Sequence, residues 1–378
     1  MKNKPRTWLE INTDAIRFNY RQIKSYLPEN TKIIVVVKSN AYGHGIVEIS
    51  NLVLREGVSH IAVAFLEDAG VLRSSGYTKP IIILSQPDTS KIPTLIKLNV
   101  IPCVNNYKFA VSLSNIYKGK FPYPIHIEID TGINHLGVGC KNSIEELGRI
   151  SALPNIKIEG MFTHLSDADN LKTSITKRQV VFFNKVIAGA KSIGINADFI
   201  HVSCSSGLFS FPQDIYNSVR VGSIIYGVQS SLDKNYPIDV RQSLTWKTAL
   251  LGTKKVDKGE YVGYGRNWKT KEDTMVAVIP VGYSDGFRRS PNNFGFVLCR
   301  RQRCSIIGQV EMNQTMLDVS KIKNVKQDDE VVLIGKQGRE IITVEDAARR
   351  IGSIGEEVTV GISPNIPRFY FKRSAASL

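Results

Sequence analysis

The apolar positions of this chain come in short, dense runs rather than in long amphipathic stripes. The first is Ile33-Ile34-Val35-Val36-Val37, five consecutive β-branched residues. Such a run reads as a strand buried on both faces, the pattern of a parallel sheet. Similar runs recur at 61–64, 81–84, 100–104, 125–129, 158–162, 199–202 and 219–225. Helix-like segments such as 46–56 and 144–151 separate most of them, and Asn12-Thr13-Asp14 offers caps for a helix over 15–26. Eight strands alternating with helices is the count that closes a parallel (β/α)8 barrel. An open doubly wound sheet would alternate too, but its Gly-x-Gly-x-x-Gly fingerprint is absent.

From about 244 the texture changes. Strand-like pieces at 244–254, 274–279, 295–298, 304–307, 330–334 and 358–360 follow one another with turn residues between them. Only 344–350 has a clearly helical pattern there. The reading is α/β: a (β/α)8 barrel domain over 12–240, then a C-terminal, mainly β domain over 241–378, which the strand-like 7–11 joins.

Composition adds limits to this picture. A chain of 378 residues can bury two cores, and 42 % hydrophobic with 22 % charged residues is ordinary for a soluble protein. No apolar run approaches the roughly 20 residues of a membrane span. No apolar region follows the basic start as in a signal peptide, so the expected location is cytoplasmic. The five cysteines, Cys103, Cys140, Cys204, Cys299 and Cys304, are odd in number and include no Cys-x-x-Cys. Neither a disulfide framework nor a bound metal is expected. The net charge of +15 is spread along the chain without a nucleic-acid-binding signature, which points to a basic surface or anionic ligands instead.

In a (β/α) barrel the chemistry sits at the C-terminal ends of the strands. Those ends carry Lys38, then Asp130 and His135, His164, the trio His201, Ser203 and Ser205, and Arg220. Lys38 closes an apolar strand. Its stem either snorkels to water, or its amine is desolvated and suits Schiff-base formation with an aldehyde cofactor. Ser205-Ser206-Gly207 and Gly222-Ser223 can present hydroxyls and backbone N–H groups to an anion such as a phosphate.

Val37-Lys38-Ser39-Asn40-Ala41-Tyr42-Gly43-His44-Gly45 resembles the cofactor-lysine motif of the alanine racemase family, whose members bind pyridoxal 5′-phosphate (PLP). Further matches follow in order: Thr7-Trp8-Leu9-Glu10-Ile11, Asp130-Thr131-Gly132, Thr163-His164, Arg220-Val221-Gly222, Gly282-Tyr283-Ser284-Asp285-Gly286, Met312 and Pro367-Arg368. The resemblance spans essentially the whole chain. It implies an isomerase, acting on a small-molecule amino acid in D-alanine biosynthesis, with active sites shared across a homodimer. Lys38 would carry the cofactor and act as one of two bases. Tyr283 of the other subunit would be the second, on the opposite face, as racemisation requires. Arg220 would face the pyridine nitrogen and His164 the ring. Tyr42, Ser205 and Gly222 would hold the phosphate, and Met312 would meet the substrate carboxylate.

The chain departs from the family pattern around this same site. Glu128 stands where the family has a lysine, often carbamylated, and His135 where it has the arginine that this lysine orients. As a pair, Glu128 and His135 would still supply an anion and a conditional cation, with a steeper pH dependence. Cys204 replaces an asparagine, and Glu311 and Asn313 flank Met312 in place of a cysteine and an aspartate. Glu356 falls where the family has a phosphate-contacting tyrosine that also shapes the substrate pocket. The resemblance implies interconversion of L- and D-alanine; the added acids Glu311 and Glu356 make a basic amino acid such as lysine, ornithine or arginine the alternative substrate. A PLP-binding protein without turnover and a decarboxylase on the same barrel remain alternatives. The first would lack the C-terminal domain, and the second would carry a late glycine-rich phosphate loop.

Overall fold

The computed structural model describes residues 5–168, 170, 174–202, 205–210, 216–229 and 236–372, with the backbone alone at 140. Ser203 and Cys204 lie outside the described residues.

The chain opens on β1 (Thr7–Asn12) and passes directly into a helix, Thr13–Tyr26. Asn12 caps that helix through its side-chain oxygen, which accepts from the backbone N–H groups of Asp14 and Ala15. Eight parallel strands then follow. They are β2 (Lys32–Val36), β3 (His60–Val63), β4 (Ile81–Ile83), β5 (Ile101–Val104), β6 (Tyr123–Asp130), β8 (Ile156–Phe162), β9 (Phe199–His201) and β10 (Ser218–Val221), with a two-residue β7 (Val138–Gly139) paired to β6. Their order, β10-β2-β3-β4-β5-β6-β8-β9, bends the sheet into a nearly closed barrel. At the seam side chains join β9 to β10. Ser218 Oγ donates to the Ile200 carbonyl at 2.9 Å, and Asn217 Oδ1 accepts from the Ile200 N–H at 2.7 Å.

Alternation along each strand divides its side chains between two environments. Ile34, Val36, Ala62, Ile82, Ile101 and Phe199 fill the barrel, while Ile33, Val35, Ile61 and Ile81 pack outward in the core shared with the helices. Both faces are therefore apolar, which is why these strands read as continuous runs.

The second sheet contains β11 (Leu244–Ala249), β12 (Gly252–Val256), β13 (Thr274–Ile279), β14 (Phe296–Cys299), β15 (Gln302–Ile307), β16 (Thr315–Asp318), β17 (Glu330–Gln337), β18 (Glu340–Ile342) and β19 (Arg368–Phe371). β1 belongs to it, antiparallel to β11 and parallel to β19. Trp246 packs edge-on to Phe287 and Phe294, whose rings stack at 4.5 Å. Among the described residues no helix is long and apolar enough to cross a membrane.

Three expectations need correction. The apolar run at 219–225 is strand only to Val221, and Ser223–Tyr226 is a 3-10 turn. All of these residues are buried, so periodicity could not separate the two. The piece at 358–360, expected as a strand, lies in the helix Gly355–Gly361. The run at 244–254 is two strands, and β16, β18 and β19 were not anticipated.

The two units meet at the loop after β2. Arg368 Nε donates to the Gly43 carbonyl, and the Tyr370 hydroxyl to that of His44, both at 2.8 Å. Gly43 has φ +83°, and a Cβ there would lie 2.2 Å from the Thr359 carbonyl oxygen. Only glycine, without a side chain, can take that backbone conformation at that approach.

Candidate active site

Lys38 ends the β2 segment at the barrel's C-terminal rim, inside a cavity of about 730 Å³. The chain then does something costly. Ser39, Asn40, Ala41 and Tyr42 all have positive φ, between 52° and 55°, a full left-handed turn without glycine. Such conformations cost about 1–2 kcal/mol per residue, and strain of this kind collects at functional sites. The turn is held by the Ala41 N–H on the Val37 carbonyl and by Asn40 Oδ1, which accepts from the Ile46 N–H at 2.8 Å. It throws Tyr42 back across the rim toward Gly222, where an added Cβ would lie 2.5 Å from the Tyr42 hydroxyl. Ser205 completes this corner, its Oγ accepting from the Gly222 N–H at 3.2 Å.

Burial is the main force lowering the Lys38 pKa; the nearby Arg220 charge lowers it further and Glu356 opposes both. The amine is thereby biased toward its neutral, nucleophilic form. Arg220 is 5 % exposed and heavily tethered. Its Nη1 donates to His201 Nδ1 at 2.5 Å and its Nη2 to the Thr163 carbonyl at 2.8 Å, with His164 Nδ1 at 3.3 Å. The guanidinium also lies over the Phe162 ring, 4.7 Å from its centroid. Burial first, then the charges of Arg220 and Lys38, take the His164 pKa down to about 3. His164 is therefore neutral, and an arginine donor at Nδ1 leaves its proton on Nε2.

The altered residues gather here as well. Glu128, 5 % exposed at the end of β6, lines the cavity together with His135 and Glu356. Burial raises the Glu128 pKa, with His135 and Arg220 pulling it back. The His135 loop is shaped by Asp130, whose Oδ1 accepts from the N–H groups of Gly132 and Asn134. Glu356, in the first turn of the Gly355–Gly361 helix, reaches the cavity from the second unit.

Two anticipated residues are elsewhere. Tyr283 is 42 % exposed and Met312 56 %, and neither lines the Lys38 cavity. They adjoin each other: the Tyr283 N–H donates to the Glu311 carbonyl, and Ser284 donates to the Met312 carbonyl through both its N–H and its Oγ. Asn313 Nδ2 donates to Ser284 Oγ at 2.8 Å, tying that residue to the same corner.

Sequence reasoning missed His126 and Glu159, which lie in the barrel below Arg220. The signal was available for one of them, because His126 shares the inward face of β6 with Glu128.

Residues 11–230 match the family description "Alanine racemase, N-terminal domain", and 243–370 match "Alanine racemase, C-terminal domain". The alanine racemase of Halothermothrix orenii is 36 % identical over 365 residues, covering 96 % of each chain. Among solved structures, an alanine racemase from Clostridium difficile superimposes with a TM-score of 0.92 at 32 % identity, over 98 % of this chain and 96 % of that one. The alanine racemase of Bacillus anthracis with bound L-Ala-P gives a TM-score of 0.91 at 30 % identity, over 98 % and 96 %.

Proposed function

This chain belongs to the alanine racemase family, and on that premise we propose that it interconverts L- and D-alanine with pyridoxal 5′-phosphate by a two-base route. The carrying observation is that Lys38, Arg220, His164, Tyr42, Ser205 and Gly222 line one cavity. Their chemistry fits the cofactor: an amine for the aldehyde, a guanidinium for the ring nitrogen, and hydroxyls for the phosphate. The corner where a Cβ would collide with Tyr42 is a cradle that admits only a bare backbone.

When bound, PLP draws electrons from the substrate α-carbon and makes its hydrogen acidic. Lys38 Nζ, biased toward its neutral form, takes or returns that proton on one face. Tyr283 serves the other face from a second copy of the chain, and Met312 meets the substrate carboxylate from the same copy. The exposure of both residues outside the Lys38 cavity supports a homodimer with shared sites. Arg220 donates toward the ring nitrogen, and because it stays cationic it keeps a second proton off that atom. Neutral His164 packs against the ring. His135, backed by Glu128, orients the substrate carboxylate. The barrel unit at 12–240 holds the cofactor, and the unit at 241–378 supplies the second base.

Glu356 favours a second reading. Its carboxylate lines the cavity and acts on Lys38, and a cationic side chain on the substrate would be drawn to it. The test of function is chiral chromatography of L-alanine and L-lysine incubated with the PLP-loaded protein. Conversion of alanine, with the visible colour lost in Lys38→Ala, is the expected result. Absence of PLP uptake by the unaltered protein would refute the proposal.

A further inference from the structure

Below Arg220 the barrel interior is polar, which is unusual for a core that is otherwise aliphatic. Three contacts run in series. Arg220 Nη1 meets His201 Nδ1 at 2.5 Å, His201 Nε2 meets His126 Nδ1 at 3.2 Å, and His126 Nε2 faces Glu159 Oε2 at 3.5 Å. Both histidines are fully buried. Room for the second ring is built in, because a Cβ at Gly160 would lie 2.4 Å from His126 ring atoms. At that separation neither His126 Nε2 nor Glu159 Oε2 makes a hydrogen bond among the described residues, and the contact between them is electrostatic.

The donor inventory fixes every proton in this series. A guanidinium only donates, so His201 Nδ1 must accept; His201 is therefore neutral, with its hydrogen on Nε2. That hydrogen points to His126 Nδ1, which makes His126 neutral as well, with its own hydrogen on Nε2. The acceptor nearest to this last N–H is the Glu159 carboxylate, 3.5 Å from the nitrogen. A cation at one end and an anion at the other thus orient two neutral imidazoles in one direction. Burial works against the Glu159 carboxylate, but the facing His126 and the nearby Lys157 charge outweigh it, and its pKa is lowered. The titratable groups that act on Glu159 are His126, His60 and Lys157, the last paired to Asp198 at 2.6 Å.

We propose that His126 and Glu159 are positioning residues, which act through His201 to fix the proton arrangement and aim of the Arg220 guanidinium. Without the anion, the Nδ1–H form of His126 is no longer disfavoured. It would donate back to His201, move that ring's hydrogen to Nδ1 and set it against the arginine donor. The inference rests on Arg220 facing the cofactor ring, as proposed above.

The test uses protein carrying 15N-labelled histidine, with and without PLP. In the unaltered chain His126 and His201 should both show a protonated Nε2 and a bare Nδ1. In Glu159→Leu both should shift toward mixed tautomers, with kcat for alanine down about tenfold. Glu159→Gln keeps the shape and an acceptor oxygen, guards against loss through misfolding, and should recover most of kcat. Tautomers and kcat unchanged in both variants would overturn the proposal, as would a bare Nε2 on His201 in the unaltered chain. Correct tautomers in a protein that takes up no PLP would instead refute the functional reading, and the catalytic role of the series with it.

Discussion

Arg6 grips the carboxylate of Asp285 with both terminal nitrogens, at 2.9 and 2.5 Å, across 279 positions of sequence. Arg6 also donates to the Pro280 carbonyl, and Asp285 Oδ2 accepts from the Gly282 N–H. The turn that carries Tyr283 is therefore anchored by the chain's N-terminal segment. Asp285→Asn should lower kcat by about tenfold, because it removes the negative charge from a bidentate pair whose carboxylate is buried and whose arginine is half exposed. The colour of the PLP-loaded protein should persist. Loss of colour together with activity would mean that the variant harms the cofactor site, not the second base.

Gly222→Ala tests the phosphate corner. Its methyl group would displace the Tyr42 hydroxyl. PLP affinity, read by absorbance titration, should fall at least about tenfold, the equivalent of losing one charge-assisted hydrogen bond.

Glu128→Gln removes the anion that faces His135. The expected outcome is a flatter pH–kcat/KM profile between pH 5 and 9, with a lower plateau, because the variant lacks the carboxyl group whose pKa burial raises. A profile identical to the unaltered protein would refute a role for this pair in substrate binding.

Glu356→Tyr probes substrate choice. If the cavity carboxylate attracts a basic side chain, the ratio of L-lysine to L-alanine turnover should drop about tenfold in the variant, as for a single near-surface charge pair of roughly 1.4 kcal/mol. A strong alanine preference in both proteins would leave alanine as the substrate.

Buried histidines make a prediction about acid. The pKa of His44 and of His60 is lowered to about 4, and that of His164 to about 3, each chiefly by burial. Above pH 6.5 these groups are neutral in both the folded and the unfolded chain and cost nothing. As pH falls below 6.5 the unfolded chain binds protons that the folded one refuses, so stability is lost. At pH 5 that amounts to about 2 kcal/mol for each group. The urea midpoint should therefore drop steeply between pH 7 and 5, and a flat midpoint over that range would contradict it.

The barrel was legible because parallel strands covered on both faces must be apolar throughout, as at Ile33 to Val37. The second unit was less so. β16 and β19 are four residues each, too short for alternation to stand out, and the apolar pair in the helix Gly355–Gly361 imitates a strand. Lys38, Arg220 and Ser205 were found by their place at strand ends. The left-handed turn from Ser39 to Tyr42 carries little signal, since of its four residue types only that of Asn40 favours positive φ. Glu159 was hidden for a different reason: a single acid in an apolar strand is read as solvent-facing until a neighbour shows otherwise.

β1 sits between β11 and β19, strands that begin 237 and 361 residues after it (244 − 7 and 368 − 7). β1 thus leaves the ribosome long before either of its neighbours. At typical synthesis rates it waits roughly 20–70 s for its second neighbour. Throughout that interval its Trp8, Leu9 and Ile11 have no sheet to enter and offer an adhesive edge to any other nascent chain. The barrel can close while translation continues; the outer sheet cannot, and β1 gains its second neighbour only when β19 arrives.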